Sequence, residues 1–361
     1  MGAVGWNPRV GGTGEGACDG DGASRFGTVS SVRAVPETGL MSGDDLSADD
    51  AWHTVRRHGL RRLLGASFVR FRYGDGFSHA RAFALQLALA AVPLVIAGAG
   101  LATAIGADSV AEVVARTVVA ISPGSSDSLV SQVVGESADG GSRRSEVVVV
   151  LGLVTAFVAA TSAFAQLERG ANRIYGTKRD RPALRKYGQA AVLTATAGLA
   201  MAVGLLLIVA GEPFGEAIES VYHWGHAAET VWDVVRWPIG LALLVVAVTL
   251  LFRYAPRRQQ PGRSWLAVGA AVTVLAWLAG SGLLALYVVF AAGFGDTYGP
   301  LTAVMALLLW ANITGIALLA GLALAAQLEA VRAGRPEPLL EDTDDDGIPD
   351  ALDERPNSPA R

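Results

Sequence analysis

Residues 265–290 read WLAVGAAVTVLAWLAGSGLLALYVVF, and residues 300–327 read PLTAVMALLLWANITGIALLAGLALAAQ. Neither stretch contains Asp, Glu, Lys, Arg or His. About 20 apolar residues, rising about 1.5 Å each, cross a hydrocarbon core of about 30 Å, so either stretch can span a membrane. Because lipid offers the backbone no hydrogen-bond partners, both are predicted to be helices. The short connector AAGFGDTYG predicts an antiparallel pair.

The whole chain has the composition of a membrane protein. It has 361 residues, of which 52% are hydrophobic and 17% are charged, whereas a soluble protein carries about 25% charged residues. The sequence predicts an all-α membrane protein with six transmembrane helices, over residues 82–104, 147–166, 190–210, 237–254, 265–290 and 300–327. Cys18 is the only cysteine, which excludes a disulfide within the chain.

The charges between the predicted spans alternate in sign. The basic segments are the one before the first span, residues 168–188, residues 253–263 and the start of the tail; residues 107–145, 211–235 and 291–299 are neutral to acidic. Positive loops remain in the cytoplasm, so both termini are predicted to be cytoplasmic. Ala, Gly and Val are abundant and Arg greatly outnumbers Lys, which indicates GC-rich coding DNA and hence a bacterial source. The predicted location is therefore the bacterial cytoplasmic (inner) membrane.

The two ends of the chain differ from the middle. Residues 1–46 are Gly-rich, polar and without periodicity, so they are predicted to be disordered. Met41 opens a more ordinary beginning, MSGDDLSADDAW, and translation starting there is a hypothesis that N-terminal sequencing would test. Residues 333–361 are predicted to form a disordered acidic tail.

Residues 47–73 are predicted to form a basic amphipathic helix. Ser47 and Asp50 have the spacing of a helix N-cap, and apolar residues recur at helical spacing among six arginines, at 56, 57, 61, 62, 70 and 72. Such a helix before a span is typical of one lying on the anionic inner leaflet. The alternative is a cytosolic helix packed on the other helices.

Several stretches resemble a known family when they are taken in order. They are DGFSHARAFALQLALAAVPLVI (75–96), AFAQLERGANRIYG (163–176), FRYAPRRQQPGRSWLAVGAAV (252–272) and the region from Tyr287 to Glu329, with the pairs Asn172-Arg173, Tyr298-Gly299 and Leu309-Trp310. Over about residues 65–332 the chain resembles the YihY/virulence factor BrkB family, formerly labelled ribonuclease BN.

The resemblance implies a six-span protein of the cytoplasmic membrane without an agreed biochemical activity. The ribonuclease label is widely regarded as a misassignment from a zinc-dependent hydrolase of another fold. Zinc phosphodiesterases need clustered His and Asp ligands, whereas the five histidines here are scattered and form no His-x-His-x-Asp-His run. No enzymatic activity is therefore expected.

Polar residues inside spans are the first candidates for a binding site. Gln86, Gln166 and Asn312 are of this kind, and Asn312 is placed in the middle of its span. The alternative for Asn312 is a hydrogen bond between helices. Asn172 and Arg173, just after the second span, could bind a phosphate head group, with interfacial anchoring as the alternative.

The tail contains DTDDDGIPDALD, which resembles a thrombospondin type-3 calcium repeat and the first half of an EF-hand loop. Calcium prefers oxygen ligands, here the carboxylates of Asp342, Asp344, Asp346, Asp350 and Asp353. The alternative is a solvated acidic tail, and calcium binding would be weak. No other cofactor is expected.

The absence of charge near the span centres argues against an ion-coupled carrier and is compatible with an apolar cargo. The predicted function is therefore transport or handling of a lipid-like or small amphiphilic molecule, with membrane lipids as partners. The alternatives are a non-transporting membrane scaffold and a ribonuclease. The basic loops are explained by topology, so no nucleic-acid partner is expected. Ala317, Gly321 and Ala325 share one helix face, which predicts either core packing or a homo-oligomer interface.

Overall fold

The computed structural model describes residues 35–39, 47–104, 142–177, 180–208, 226–290 and 300–340. The regular elements of these ranges are helices: α1 Ala48–His58, α2 Leu60–Tyr73, α3 Gly76–Ala104, α4 Ser142–Ile174, α5 Ala183–Ile208, α6 His226–Tyr254, α7 Arg263–Phe290 and α8 Pro300–Arg332. The described ranges contain no strand.

The helices α3 to α8 are each long and apolar enough to cross a membrane, which confirms the predicted all-α membrane fold. Several are longer than the predicted spans. The second span was predicted to end at residue 166, but α4 continues to Ile174, and α5 begins at Ala183 instead of residue 190. The extra turns of α4 pack against protein, whereas those of α5 are mostly exposed. Both carry polar residues, so hydropathy does not mark them.

The six spanning helices form a ring. Each packs against the next along the chain, and α8 closes the ring by packing against α3. At the end where α4, α6 and α8 finish, α8 also contacts α2 and α4. The sequence analysis predicts that this end is cytoplasmic.

The last turns of α8 lie in the middle of the bundle. All ten residues from 321 to 330 are buried. Small residues allow close approach to α7, since a Cβ atom on Gly321 would overlap the Thr273 side chain and one on Gly269 would lie 3.1 Å from Cβ of Ala325. The stripe containing Ala317, Gly321 and Ala325 therefore packs inside this chain, as the core-packing alternative predicts.

The predicted basic helix is divided in two. Gly59, with φ of 87°, ends α1 and precedes α2, because its left-handed backbone interrupts the helix. One face of α2 is buried against α8 and α3 and includes Leu63 and Phe71, while Leu64 and Phe68 are exposed beside arginines. The position on the inner leaflet stays a prediction.

Two predictions for this part of the chain need correction. Arg70, predicted to be one of the surface arginines, is fully buried, because it faces α8. Disorder was predicted throughout residues 1–46, but residues 35–39 dock on the bundle, with Thr38 buried.

At the other end, disorder was predicted from residue 333, but the first residues of the tail bond to α8: the Arg335 N–H donates to the Ala330 carbonyl, and Gln327 Nε2 donates to the Pro336 carbonyl. Residues 1–34, residues 40–46 and the tail from residue 341 lie outside the described residues.

Candidate functional site

The ring of helices surrounds a cavity of about 590 Å³, called the central cavity below. All six spanning helices contribute to its wall, near the middle of their lengths. The aromatic members of the wall are Phe83, Phe157, Phe164, Trp277 and Trp310, and most of the others are Leu or Ala.

The few polar groups in this wall are already bonded. The hydroxyls of Thr194, Thr273 and Thr314 each donate a hydrogen bond of 2.9 Å to the carbonyl four residues earlier in their own helix. Trp277 Nε1 donates to the Thr314 hydroxyl oxygen over 3.1 Å. Because these donors face protein acceptors, the wall offers a ligand mainly hydrocarbon surface.

One side of the central cavity borders the surface that faces the bilayer. Among the lining residues, Leu94 of α3, Leu153 and Phe157 of α4, and Leu199 of α5 are exposed, Leu199 to 62%. A side chain that both lines the cavity and lies at the surface leaves little protein between the two. An apolar molecule in the bilayer is therefore close to the cavity on this side.

The wall contributed by α5 is not regular α-helix. Thr194–Gly198 forms a π-helical turn, and Thr194, Ala195 and Gly198 line the cavity. A Cβ atom on Gly198 would lie 3.1 Å from the Phe164 ring, so the glycine allows α5 to approach α4. Single π-helical turns inside α-helices are frequent at functional sites.

A second feature lies at the bundle end where α8 finishes. We call it the polar cluster, formed by Arg70, Tyr175, Arg258, Gln327 and Glu329. The Tyr175 hydroxyl donates to Glu329 Oε1 over 2.9 Å. Arg258 lies 3.0 Å from Glu329 Oε2 and places its guanidinium carbon 4.5 Å from the centre of the Tyr175 ring. Glu329 is completely buried, so the carboxylate is held by its protein partners.

Arg70 extends the polar cluster from the side of α2. Its Nε donates to Gln327 Oε1 over 3.0 Å, and one of its terminal nitrogens donates to the Thr38 hydroxyl over 2.7 Å and to the Ile174 carbonyl over 3.2 Å. Burial lowers the pKa of Arg70 to about 10, so the side chain remains a cation near neutral pH. Burial, followed by the Glu329 charge, raises the pKa of Tyr175 well above its usual value, so its hydroxyl keeps the proton it donates.

Asn172 belongs to a neighbouring set of contacts between loops. Its side-chain amide donates to Asp180 Oδ1 over 2.8 Å, and its oxygen accepts from the Arg257 backbone N–H over 2.7 Å. Nearby, Arg181 lies 2.9 Å from the buried Glu168 and donates to the Ala255 carbonyl. Asn172 thus joins the loop after α4 to the loop after α6, while Arg173 beside it is exposed.

The structure does not bring the predicted site residues together. Gln86, Gln166 and Asn312 are partly buried on three different helices, and none of them lines the central cavity. Asn312 lies between Trp310 and Thr314, which do line it. Within the described ranges, no group of three or more His, Cys, Asp or Glu side chains is arranged to hold a metal ion. The five aspartates of the predicted calcium site lie outside those ranges.

Sequence reasoning missed most of the polar cluster. A signal was present in ALAAQLEAV, where Gln327 and Glu329 interrupt an otherwise apolar helix. Charged residues in such surroundings need partners. The stretches that carry the family resemblance supply two partners of Glu329, since Tyr175 and Arg258 come from different stretches and meet it here.

Comparisons with known proteins give a family and one distant relative. A family model described as Virulence factor BrkB matches residues 67–345. The ribonuclease-like protein YfkH of Bacillus subtilis (strain 168) is 24% identical over 170 residues, which are 47% of this chain and 62% of that protein. The match thus spans less than two thirds of the relative's length. No solved structure matches the chain.

Proposed function

The chain belongs to the virulence factor BrkB family, and from this premise we propose that its central cavity binds the hydrocarbon part of a lipid-like molecule. The protein would handle that molecule in the bacterial cytoplasmic membrane, or move it across, with both termini in the cytoplasm. The observation that carries the proposal is an apolar cavity of about 590 Å³ lined by residues of all six spanning helices.

The size and chemistry of the cavity support an apolar ligand. Ligand pockets usually measure about 300–1,000 Å³, and this cavity falls inside that range. A polar solute would lose its hydration on entering and would gain few hydrogen bonds, because the threonine hydroxyls already donate to their own helices. A hydrocarbon chain has no hydrogen bonds to water to lose when it enters the cavity.

The position of the cavity supports entry from the bilayer. The exposed lining residues Leu94, Leu153 and Leu199 place the wall of the cavity at the lipid-facing surface. A molecule dissolved in the membrane could then enter between helices without passing through water. The π-helical turn of α5 lies in this wall and is a natural place for local rearrangement.

The test compares two variants with the same substitution on different surfaces. Ala160→Phe fills part of the cavity, since Ala160 lines it. Ala276→Phe adds the same ring to an exposed position of α7 that is not among the lining residues. Each protein is extracted from its own membranes in mild detergent, and the retained lipids are measured by native mass spectrometry.

We expect wild type and Ala276→Phe to retain one lipid class selectively. Ala160→Phe should retain about tenfold less of it, which corresponds to about 1.4 kcal/mol of binding free energy. Equal and unselective retention by all three proteins would contradict the proposal and favour a membrane scaffold. An Asn312→Leu variant should behave like wild type, because Asn312 does not line the cavity.

The proposal gives the protein a non-enzymatic role. The printed name of the Bacillus relative refers to a ribonuclease, and the matched part covers 62% of that protein. Nuclease activity that persists in highly purified protein, and disappears when residues of this chain are substituted, would revive an enzymatic role.

A further inference from the structure

The central cavity is closed toward the polar cluster by the end of α8. Leu318 is the last residue of α8 in the cavity wall, and Glu329 follows about 16 Å further along the helix. Residues 321–330 between and beyond them are all buried. A molecule could pass from the cavity to this end of the bundle only if the end of α8 moved.

The polar cluster fastens that segment from three directions. Gln327 and Glu329 project from α8, and they are bound by Arg70 from α2, by Tyr175 after α4 and by Arg258 from the loop between α6 and α7. Buried ionic groups are a weak source of net stability, and their best-attested use is to fix one arrangement against others. Here the fixed arrangement is the inward position of the end of α8.

Not every donor of the polar cluster has an acceptor. Among the described residues, Nε and one terminal nitrogen of Arg258 are buried and have no hydrogen-bond partner. Buried donors without partners reduce the stability of the arrangement that contains them. The closed arrangement is therefore held by specific bonds but stabilised less than a fully bonded network would be.

The end of α8 packs closely on α7. Gly321 and Ala325 of α8 lie against Gly269, and the Thr273 side chain lies directly over Gly321. Small sliding movements are one way in which packed helices rearrange. Such a shift of α8 along α7 would move Gly321 away from Thr273.

Residues 35–39, called the strap below, cross the outer side of the polar cluster. The Thr38 hydroxyl accepts from Arg70, and the Thr38 N–H donates to the Tyr175 carbonyl over 3.1 Å. The Gly39 carbonyl accepts from Arg258 over 3.1 Å. The strap therefore binds both arginines that hold α8 in place.

We propose that the strap and the polar cluster form a releasable lock, which keeps the central cavity closed toward this end of the bundle. When the strap leaves, Arg70 and Arg258 each lose an acceptor, and the hold on Gln327 and Glu329 weakens. The end of α8 then shifts along α7 and connects the cavity with the aqueous side. The inference rests on the proposed function only for the cargo that the lock would control.

The test measures access to the cavity and does not depend on a ligand. Cys18→Ser removes the one native cysteine, and Ala163→Cys places a reporter in the cavity wall at a position that is only 1% exposed. A membrane-impermeant maleimide is added to membrane vesicles on the side of the polar cluster, and the labelling rate is measured. Ala183→Cys, at the exposed start of α5, shows which side the reagent reaches.

Two substitutions weaken the lock at different points. Thr38→Val keeps the shape of the side chain and removes the acceptor of Arg70. Glu329→Gln removes the charge that pairs with Arg258. We expect either substitution to raise the labelling rate of the cysteine in Ala163→Cys about tenfold. This corresponds to a shift of about 1.4 kcal/mol in the equilibrium between the closed and open arrangements.

Glu37→Gln is the matched control, because Glu37 is an exposed residue of the strap and should leave the rate unchanged. If Glu329→Gln does not fold, Thr38→Val alone decides. Labelling as slow in Thr38→Val as in the control overturns the lock. Lipid retention in the Ala160→Phe comparison is measured separately, so the lock and the lipid-binding proposal can fail independently.

Discussion

The middle of the bundle and its polar end are built from the same helices, but their polar groups bond differently. In the middle, the hydroxyls of Thr194, Thr273 and Thr314 bond within their own helices, and Trp277 supplies a bond between helices. At the polar end, Glu329 is bound by groups from two other parts of the chain. The difference indicates that directional contacts hold the helices together at one end, while the middle depends on apolar packing.

The largest effect is expected when the polar end loses its carboxylate. Glu329→Ala leaves Arg258 buried without its ionic partner and the Tyr175 hydroxyl without its acceptor. We expect a loss of about 3–5 kcal/mol in unfolding free energy. Denaturant unfolding in detergent micelles would measure it, with Glu337→Ala in the exposed tail as control. A loss as small as that of the control would mean that the contacts of the polar end do not stabilise the bundle more than the apolar packing of its middle.

A smaller effect is expected where the two regions meet. A Cβ atom in Gly321→Ala would overlap the Thr273 side chain, so α8 must move away from α7, at a cost of about 1–3 kcal/mol. The double variant with Thr273→Ala should recover part of this loss, because the overlapping hydroxyl is removed. Thermal unfolding of both proteins would measure the recovery. Equal stability of the single and double variants would show that the overlap with the Thr273 hydroxyl is not what destabilises Gly321→Ala.

The middle of the bundle should tolerate the loss of a hydrogen bond better. Trp277→Phe removes the bond to Thr314, but the Thr314 hydroxyl keeps its bond to the Trp310 carbonyl. We expect a cost of about 1 kcal/mol in unfolding free energy, measured by the same denaturant titration. A cost equal to that of Glu329→Ala would abolish the distinction between the two regions.

The smallest effect is expected at the surface, outside both regions. Ser47→Ala removes the cap of α1, where Ser47 and Asp50 bond reciprocally, and should cost about 0.5 kcal/mol. These bonds hold the pKa of Asp50 below its usual value. The bonds to the Asp50 carboxylate therefore stabilise α1 above the unfolded pKa of this group, and that stabilisation is lost as pH falls through its lower folded pKa. Hydrogen exchange of the α1 amides, compared with those of α2 at each pH, would detect the change.

The spans could be predicted from the sequence because membrane helices are marked by length and hydropathy alone. The central cavity could not, since Leu87 in its wall and Leu85 at the surface are the same residue type on one helix. Which of them faces a cavity depends on how six helices pack. A search for polar residues inside spans therefore selected Gln86 and Asn312, and it missed the central cavity because the wall of that cavity is mainly apolar.

The polar cluster shows a second limit of sequence reasoning. Arg70 follows the same pattern of arginines as Arg61 and Arg62, yet it is buried and they are exposed. Its partner Gln327 lies 257 residues further along the chain, and no local pattern connects the two. Thr38 was missed for the same reason, because its segment has the composition of a disordered end.

The π-helical turn of α5 has a consequence for insertions and deletions. A π-helical turn accommodates one residue more than an α-helical turn, so deleting one residue within Thr194–Gly198 would restore a regular helix. Every later residue of α5 would then keep its orientation, because the wider π-helical turn covers about the same rotation with one residue more. Leu199, Met201 and Ala202 would therefore stay in the cavity wall. Deleting one residue from the regular helix between Ala183 and Leu193 would instead rotate these three by about 100° and turn them away from the cavity. The π-helical turn is thus the place where α5 can lose one residue without rearranging the cavity wall.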